Sequence, residues 1–221
     1  MLADDILAFY RQLNITAPLP AEVRFMNPYQ DEKAFEVCSR FYRKYYNDNN
    51  TRRIIIGINP GRFGGGVTGV PFTDPVKLQT LGIENNFQKK TELSADFIYL
   101  MIDAYGGTEK FYGDYYISAL SPLGFTKDGK NLNYYDIREL QDAVEPFMIG
   151  CIQRQLAFGL DREVAFCLGE GDNFKYLTKL NSRFGFFKTI QPLPHPRFIM
   201  QYRRKRLEEY VELYVQKLTT R

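Results

Sequence analysis

Short apolar runs alternate with longer amphipathic stretches along this chain, and that alternation narrows the architecture to one class. RRIIIGI (52–58) is compact and β-branched, the pattern of a buried strand. YYISAL (115–120), REVAFCLG (162–169) and a run within GFFKTIQPL (185–193) repeat it. Helical spacing marks residues 3–13, 31–46, 93–105, 137–160 and 171–183, with a break or kink expected at Pro146. A final helix is expected from about Met200, with Leu207, Tyr210, Val211, Tyr214, Val215 and Leu218 on one face. Strands alternating with helices predict a three-layer α/β sandwich built on a four-stranded, mainly parallel sheet. The 221 residues suit one such domain, spanning 1–221.

Several classes of function drop out early. The cysteines, Cys38, Cys151 and Cys167, are odd in number, widely spaced and form no CxxC, so neither a disulfide framework nor a zinc site is expected. A reducing cytoplasm is the expected location. The opening MLADDILAFYRQLN is acidic and amphipathic, unlike a signal peptide, and no apolar stretch is long enough to cross a bilayer. The net charge of +3 diagnoses no partner. Its distribution says more, because Arg197, Arg203, Arg204, Lys205 and Arg206 crowd one stretch.

In a parallel sheet, ligands bind beyond the carboxyl ends of the strands. The loops at 59–75, 121–135 and 191–199 emerge there. The first lies in GINPGRFGGGVTGVPFTDP (57–75) and is dense in glycine and proline. A flexible linker is one reading; a rigid loop holding a small ligand against exposed backbone is the other. It fits neither GxGxxG nor a GK[ST] phosphate loop. Asn59 directly follows the first strand, Gly61 permits close approach of backbone to a ligand, and Phe63 and Phe72 offer flat apolar faces. The third loop holds His195, the only histidine, between prolines in PLPHPRF. A rigid polar group at a crevice suits positioned catalysis.

GINPGRFGGGVTGVPF closely resembles the first active-site motif of the single-strand-selective monofunctional uracil-DNA glycosylases, within the uracil-DNA glycosylase superfamily. The resemblance continues at ISALSPLGF…DGKNLN and ends at LPHPRF, spanning roughly residues 52–200 in consistent order. It implies a DNA glycosylase that hydrolyses the bond between a deaminated base and its sugar. Uracil is the expected base, and base excision repair the setting. Asn59 and His195 are the implied catalytic pair. Asn59 would orient a water, and His195 would stabilise the negative charge gathering on an oxygen of the departing base. Phe72 would stack on the base, while Phe63 and the backbone around Ile58 and Gly61 would line the pocket. No motif lysine is present for a Schiff base, and neither metal nor cofactor is expected.

Two departures stand out. Where the family has an asparagine that reads the flipped base, this chain has Ala119, which offers no donor or acceptor. Ser118, Ser121, Asn131 or backbone could substitute. At the second motif, Arg197 follows His195 by only two residues. That shortens the wedge that normally enters the duplex and favours single-stranded or mismatched DNA. Arg197, Arg203, Arg204 and Lys205 are the expected phosphate contacts, whereas Arg52 and Arg53 read as a solvated strand entry. A monomer is expected. The alternatives are a glycosylase for xanthine or hypoxanthine, and a non-catalytic single-stranded DNA-binding protein of the same fold.

Overall fold

The computed structural model describes residues 1–220. In chain order its elements are α1 (Leu2–Arg11), β1 (Val23–Met26), α2 (Glu32–Tyr45), β2 (Arg53–Gly57), α3 (Gly65–Thr68), α4 (Pro75–Thr80), α5 (Leu93–Tyr105) and α6 (Thr108–Asp114). There follow β3 (Tyr115–Ala119), β4 (Gly124–Lys127), β5 (Lys130–Leu132), α7 (Arg138–Leu156) and β6 (Val164–Leu168). The chain continues through α8 (Asp172–Phe184), β7 (Thr189–Leu193), α9 (Pro196–Tyr202) and α10 (Leu207–Thr219).

Four strands form the central sheet in the order β3-β2-β6-β7, and every pairing is parallel. Ile54, Ile55 and Ile56 of β2 are all buried, as a central strand covered on both faces requires. Two adjacent tyrosines of β3 show what covers each face, since neighbours on a strand point oppositely. Tyr116 Oη meets Tyr10 of α1 and donates to Gln155 of α7, both at 3.1 Å. Tyr115 Oη donates instead to the Leu218 carbonyl of α10 at 2.5 Å. Helices α1, α2 and α7 therefore pack on one face, and α5, α9 and α10 form the opposite layer.

Four sequence expectations need correction. The segment 121–133 is not only loop: β4 and β5 pair antiparallel, and β1 joins them in a second sheet of order β1-β4-β5. Asp128 and Gly129 both have positive φ, at 50° and 68°, which is the two-residue turn that suits the twist of a hairpin. Helix α7 runs through Pro146 without interruption. The proline lies on the solvent side, while Leu140, Val144, Met148 and Ile152 hold the helix down. The last helix is two: α9 begins at Pro196, and the chain leaves helical geometry at Arg203, before α10. Finally, Arg52 is not solvated. It is 1% exposed, donates to the carbonyls of Tyr112 and Asn50, pairs with Asp48 at 2.6 Å and lies over the Tyr46 ring.

Candidate active site

A cleft of about 540 Å³ opens at the carboxyl edge of the central sheet. Ile58 and Asn59 reach it from the end of β2, Gly169 to Asn173 from the end of β6, and His195 from the end of β7. The hairpin and the segment after it supply Asn131, Asn133 and Tyr135.

Both ends of the Asn59 amide are held. Its Oδ1 accepts the Tyr134 N–H at 3.0 Å, and its Nδ2 donates to the Leu132 carbonyl at 3.1 Å. The oxygen keeps a second lone pair for a ligand or water, and the nitrogen's other contact, to the Pro60 carbonyl at 3.5 Å, is long enough to yield to one. Asn59 thus enters the cleft as an oriented group.

The TGVPF stretch explains how Phe72 is presented. Thr68 Oγ1 accepts the Val70 N–H at 3.1 Å and donates to the Thr73 carbonyl at 2.7 Å, folding the segment back on itself. Gly69 takes φ 72°, and Phe72 itself takes φ 53°, a left-handed conformation rare for a bulky residue. Such strain persists where the surroundings over-determine it. The Phe72 ring lies against Gly57, where a Cβ would come within 3.1 Å of two ring carbons. Its centroid is 6.4 Å from the His195 ring.

His195 caps helix α9. Its Nδ1 accepts the Arg197 N–H at 3.1 Å, so the proton of the neutral ring resides on Nε2. Burial, assisted by the Arg197 charge, pushes its pKa down to about 4. At neutral pH the cleft therefore contains an uncharged imidazole with Nε2–H as its free edge.

The remaining expected residues are less uniform. Ile58, Gly61, Phe72, Asn131 and Arg197 line the cleft. Ser118 and Ala119 do not. Both are buried in β3, and Ala119 is in register with Gly57, on the face that the Phe72 ring covers. Ser121 is also buried, its hydroxyl donating to the Leu123 carbonyl. Phe63 lies outside the cleft, 39% exposed, with Arg62 and Lys90 each 4.5 Å from its ring centre. Its place is a neighbouring depression that it shares with Arg62, Lys130 and Arg197. Arg203, Arg204 and Lys205 sit on the exposed turn between α9 and α10, and among the described residues none of the three pairs with a carboxylate.

Among the cleft residues that the sequence does not single out, Glu92 has the most perturbed surroundings. Glu92, just before α5, lines both the cleft and the neighbouring depression. Burial, reinforced by the nearby Asp74 carboxylate and opposed by Arg197, raises its pKa to about 7. The stretch KKTELSAD gives no spacing signal for it. Only the folded loop brings it in: Asp74 accepts N–H groups from Val76, Lys77 and Glu92, tying the start of α4 to the start of α5.

The profile of the Uracil DNA glycosylase superfamily matches residues 43–219. No curated protein matches the chain. The crystal structure of wild-type Pedobacter heparinus SMUG2 is similar to it, with 45% sequence identity and a TM-score of 0.94, over 98% of this chain and 96% of that one.

Proposed function

The chain belongs to the uracil-DNA glycosylase superfamily and is a DNA glycosylase; we propose that it excises a deaminated base, uracil foremost, by hydrolysis, leaving an intact abasic site. The observation that carries this reading is the tautomer of His195. Breaking the glycosidic bond sends an electron pair onto the base, and the charge gathers on a carbonyl oxygen of the base. A neutral Nε2–H, held by the cap on Nδ1, is a preset donor for that oxygen. Phe72 would stack on the base, and the spare polar valences of Asn59 would hold the attacking water. No lysine lines the cleft, which favours water over an amine as nucleophile.

Arg197 at the cleft rim, with Arg203, Arg204 and Lys205 beyond it, would receive phosphates of a single-stranded or mismatched substrate acting on the monomer. Xanthine and hypoxanthine remain a second reading, favoured by Ala119: it has no polar side-chain atom and lies away from the cleft, so no β3 side chain there selects a pyrimidine edge. The test is single-turnover excision from oligonucleotides carrying uracil, xanthine or hypoxanthine, with alkaline cleavage of the product. Uracil release by the wild type and its loss in Asn59→Ala and His195→Ala are expected. Absence of excision from every substrate would refute the reading.

A further inference from the structure

The mechanism above leaves the proton of the attacking water without a destination. An amide does not titrate usefully, so Asn59 cannot take it. His195 is engaged as a donor toward the leaving base. Among the cleft residues, Glu92 is placed differently from the surface carboxylates.

Its carboxyl is wedged against the glycine loop. A Cβ at Gly64 would fall 1.9 Å from one carboxylate oxygen, and a Cβ at Gly61 would fall 3.2 Å from the other. Asn131 Nδ2 approaches the same Gly61 position, also at 3.2 Å. Two glycines that closely follow Asn59 in the chain, Gly61 and Gly64, therefore make room for an acid that shares the cleft with the catalytic amide and has Asn131 beside it. Although Glu92 immediately precedes α5, its side chain does not cap the helix; Asp74 takes the Glu92 N–H instead. Neither carboxylate oxygen has a hydrogen-bond partner among the described residues. A largely enclosed acid with free oxygens, facing a cleft, is arranged for exchange with a ligand or water.

We propose that Glu92 is the general base of the hydrolysis. The step rests on the glycosylase reading above. The C1′–N bond breaks, and its electron pair leaves with the base, which departs as an anion held by His195. The water oxygen bonds to C1′, and one water proton passes to the Glu92 carboxylate. The products are an abasic sugar with a free hydroxyl, the base anion and a protonated Glu92, which returns its proton to solvent.

The charged groups around Glu92 are Asp74 behind it, Arg197 from α9, and Arg62 and Lys130 in the neighbouring depression. A carboxyl raised toward neutrality is a stronger base than an ordinary one and becomes competent as pH rises through about 7. His195 stays neutral well below that range, so it contributes no limb there.

The experiment is the single-turnover rate of the 221-residue protein from pH 5.5 to 9 on a uracil oligonucleotide, for wild type, Glu92→Gln and Glu92→Asp. The wild-type rate should climb with pH and level off above about 7. Glu92→Gln should be slower by roughly 10²-fold and flat with pH. Glu92→Asp should keep a rising limb at reduced rate. A flat wild-type profile would overturn the proposal without any variant, as would a rising limb retained in Glu92→Gln. If Glu92→Gln does not fold, as judged by circular dichroism, the wild-type and Glu92→Asp profiles decide, and a limb missing from either overturns it. Failure of wild type to excise any base would instead strike the glycosylase reading itself.

Discussion

Replacing Gly57 by alanine adds one methyl group at the floor of the cleft, and the structure says where it lands. The new Cβ would stand 3.1 Å from Cε2 and Cζ of Phe72 and 3.5 Å from the Ser118 carbonyl oxygen. Ordinary carbon–carbon contact is about 3.5–4.0 Å, so the ring must retreat by roughly half an ångström. It cannot do so freely, because its backbone is held at φ 53° by the Thr68 turn. Overpacking of this kind costs about 1–3 kcal/mol, or about 2–4 °C in Tm per kcal/mol for a chain of this size. The rate should suffer more than the fold, since misplacing a positioning group by about 1 Å can cost about 10²-fold. The assay pairs thermal melting with single-turnover excision for Gly57→Ala, Phe72→Ala and the double variant. With the ring gone the methyl group has nothing to push, so Gly57→Ala should be nearly silent in the Phe72→Ala background. Additive effects on the rate would refute the idea that Gly57 acts through Phe72.

Four further outcomes follow from features already described. His195→Asn keeps a side-chain cap on α9 but loses the imidazole, so the rate should fall by about 10²–10³-fold while Tm changes little; a near-wild-type rate would remove His195 from the chemistry. Because the folded His195 pKa lies below its ordinary 6.5, the unfolded chain binds the extra proton first, and wild-type stability should decline as pH falls from about 6.5 toward 4. His195→Asn should lose that part of the acid sensitivity in urea titrations. Changing Arg203, Arg204 and Lys205 together to Gln should flatten the salt dependence of oligonucleotide binding, and an unchanged slope would assign them to solvent. Arg52→Met strips a buried donor from the Tyr112 and Asn50 carbonyls and from the partly exposed Asp48, and should cost about 1–3 kcal/mol in denaturant unfolding; no loss of stability would contradict the burial described for it.

What the sequence disclosed follows the strength of local signals. The four central strands and α2, α5 and α8 were legible because β-branched runs and helical spacing are dictated by burial on both faces or on one. The hairpin was obscured by polar residues in TKDGKNLN, although Asp128–Gly129 is itself a turn signal. Pro146 was misleading because its missing N–H costs little on a solvent-facing side. In the site, Asn59, Phe72 and His195 stand out through their rigid neighbours, whereas Glu92 acquires its surroundings only from a loop distant in sequence. The outward placement of Phe63 and the enclosure of Ala119 depend on which way each backbone segment turns, which residue type alone does not specify. Arg52 reads as surface because its partners, Asp48, Tyr112 and the Tyr46 ring, converge only in three dimensions.

The Asn59 amide grips the Leu132 carbonyl with one end and the Tyr134 N–H with the other, so it also rivets the antiparallel sheet to the edge of the parallel one. Chemistry and assembly thereby share a single side chain. Alanine at 59 removes the water-holding group and unfastens the hairpin that carries Asn131 in one stroke. Aspartate is worse for the fastening, because an oxygen would then confront the Leu132 carbonyl where a donor is required. Any loss of activity at this position is a composite, and the chain has no freedom to tune one role while sparing the other.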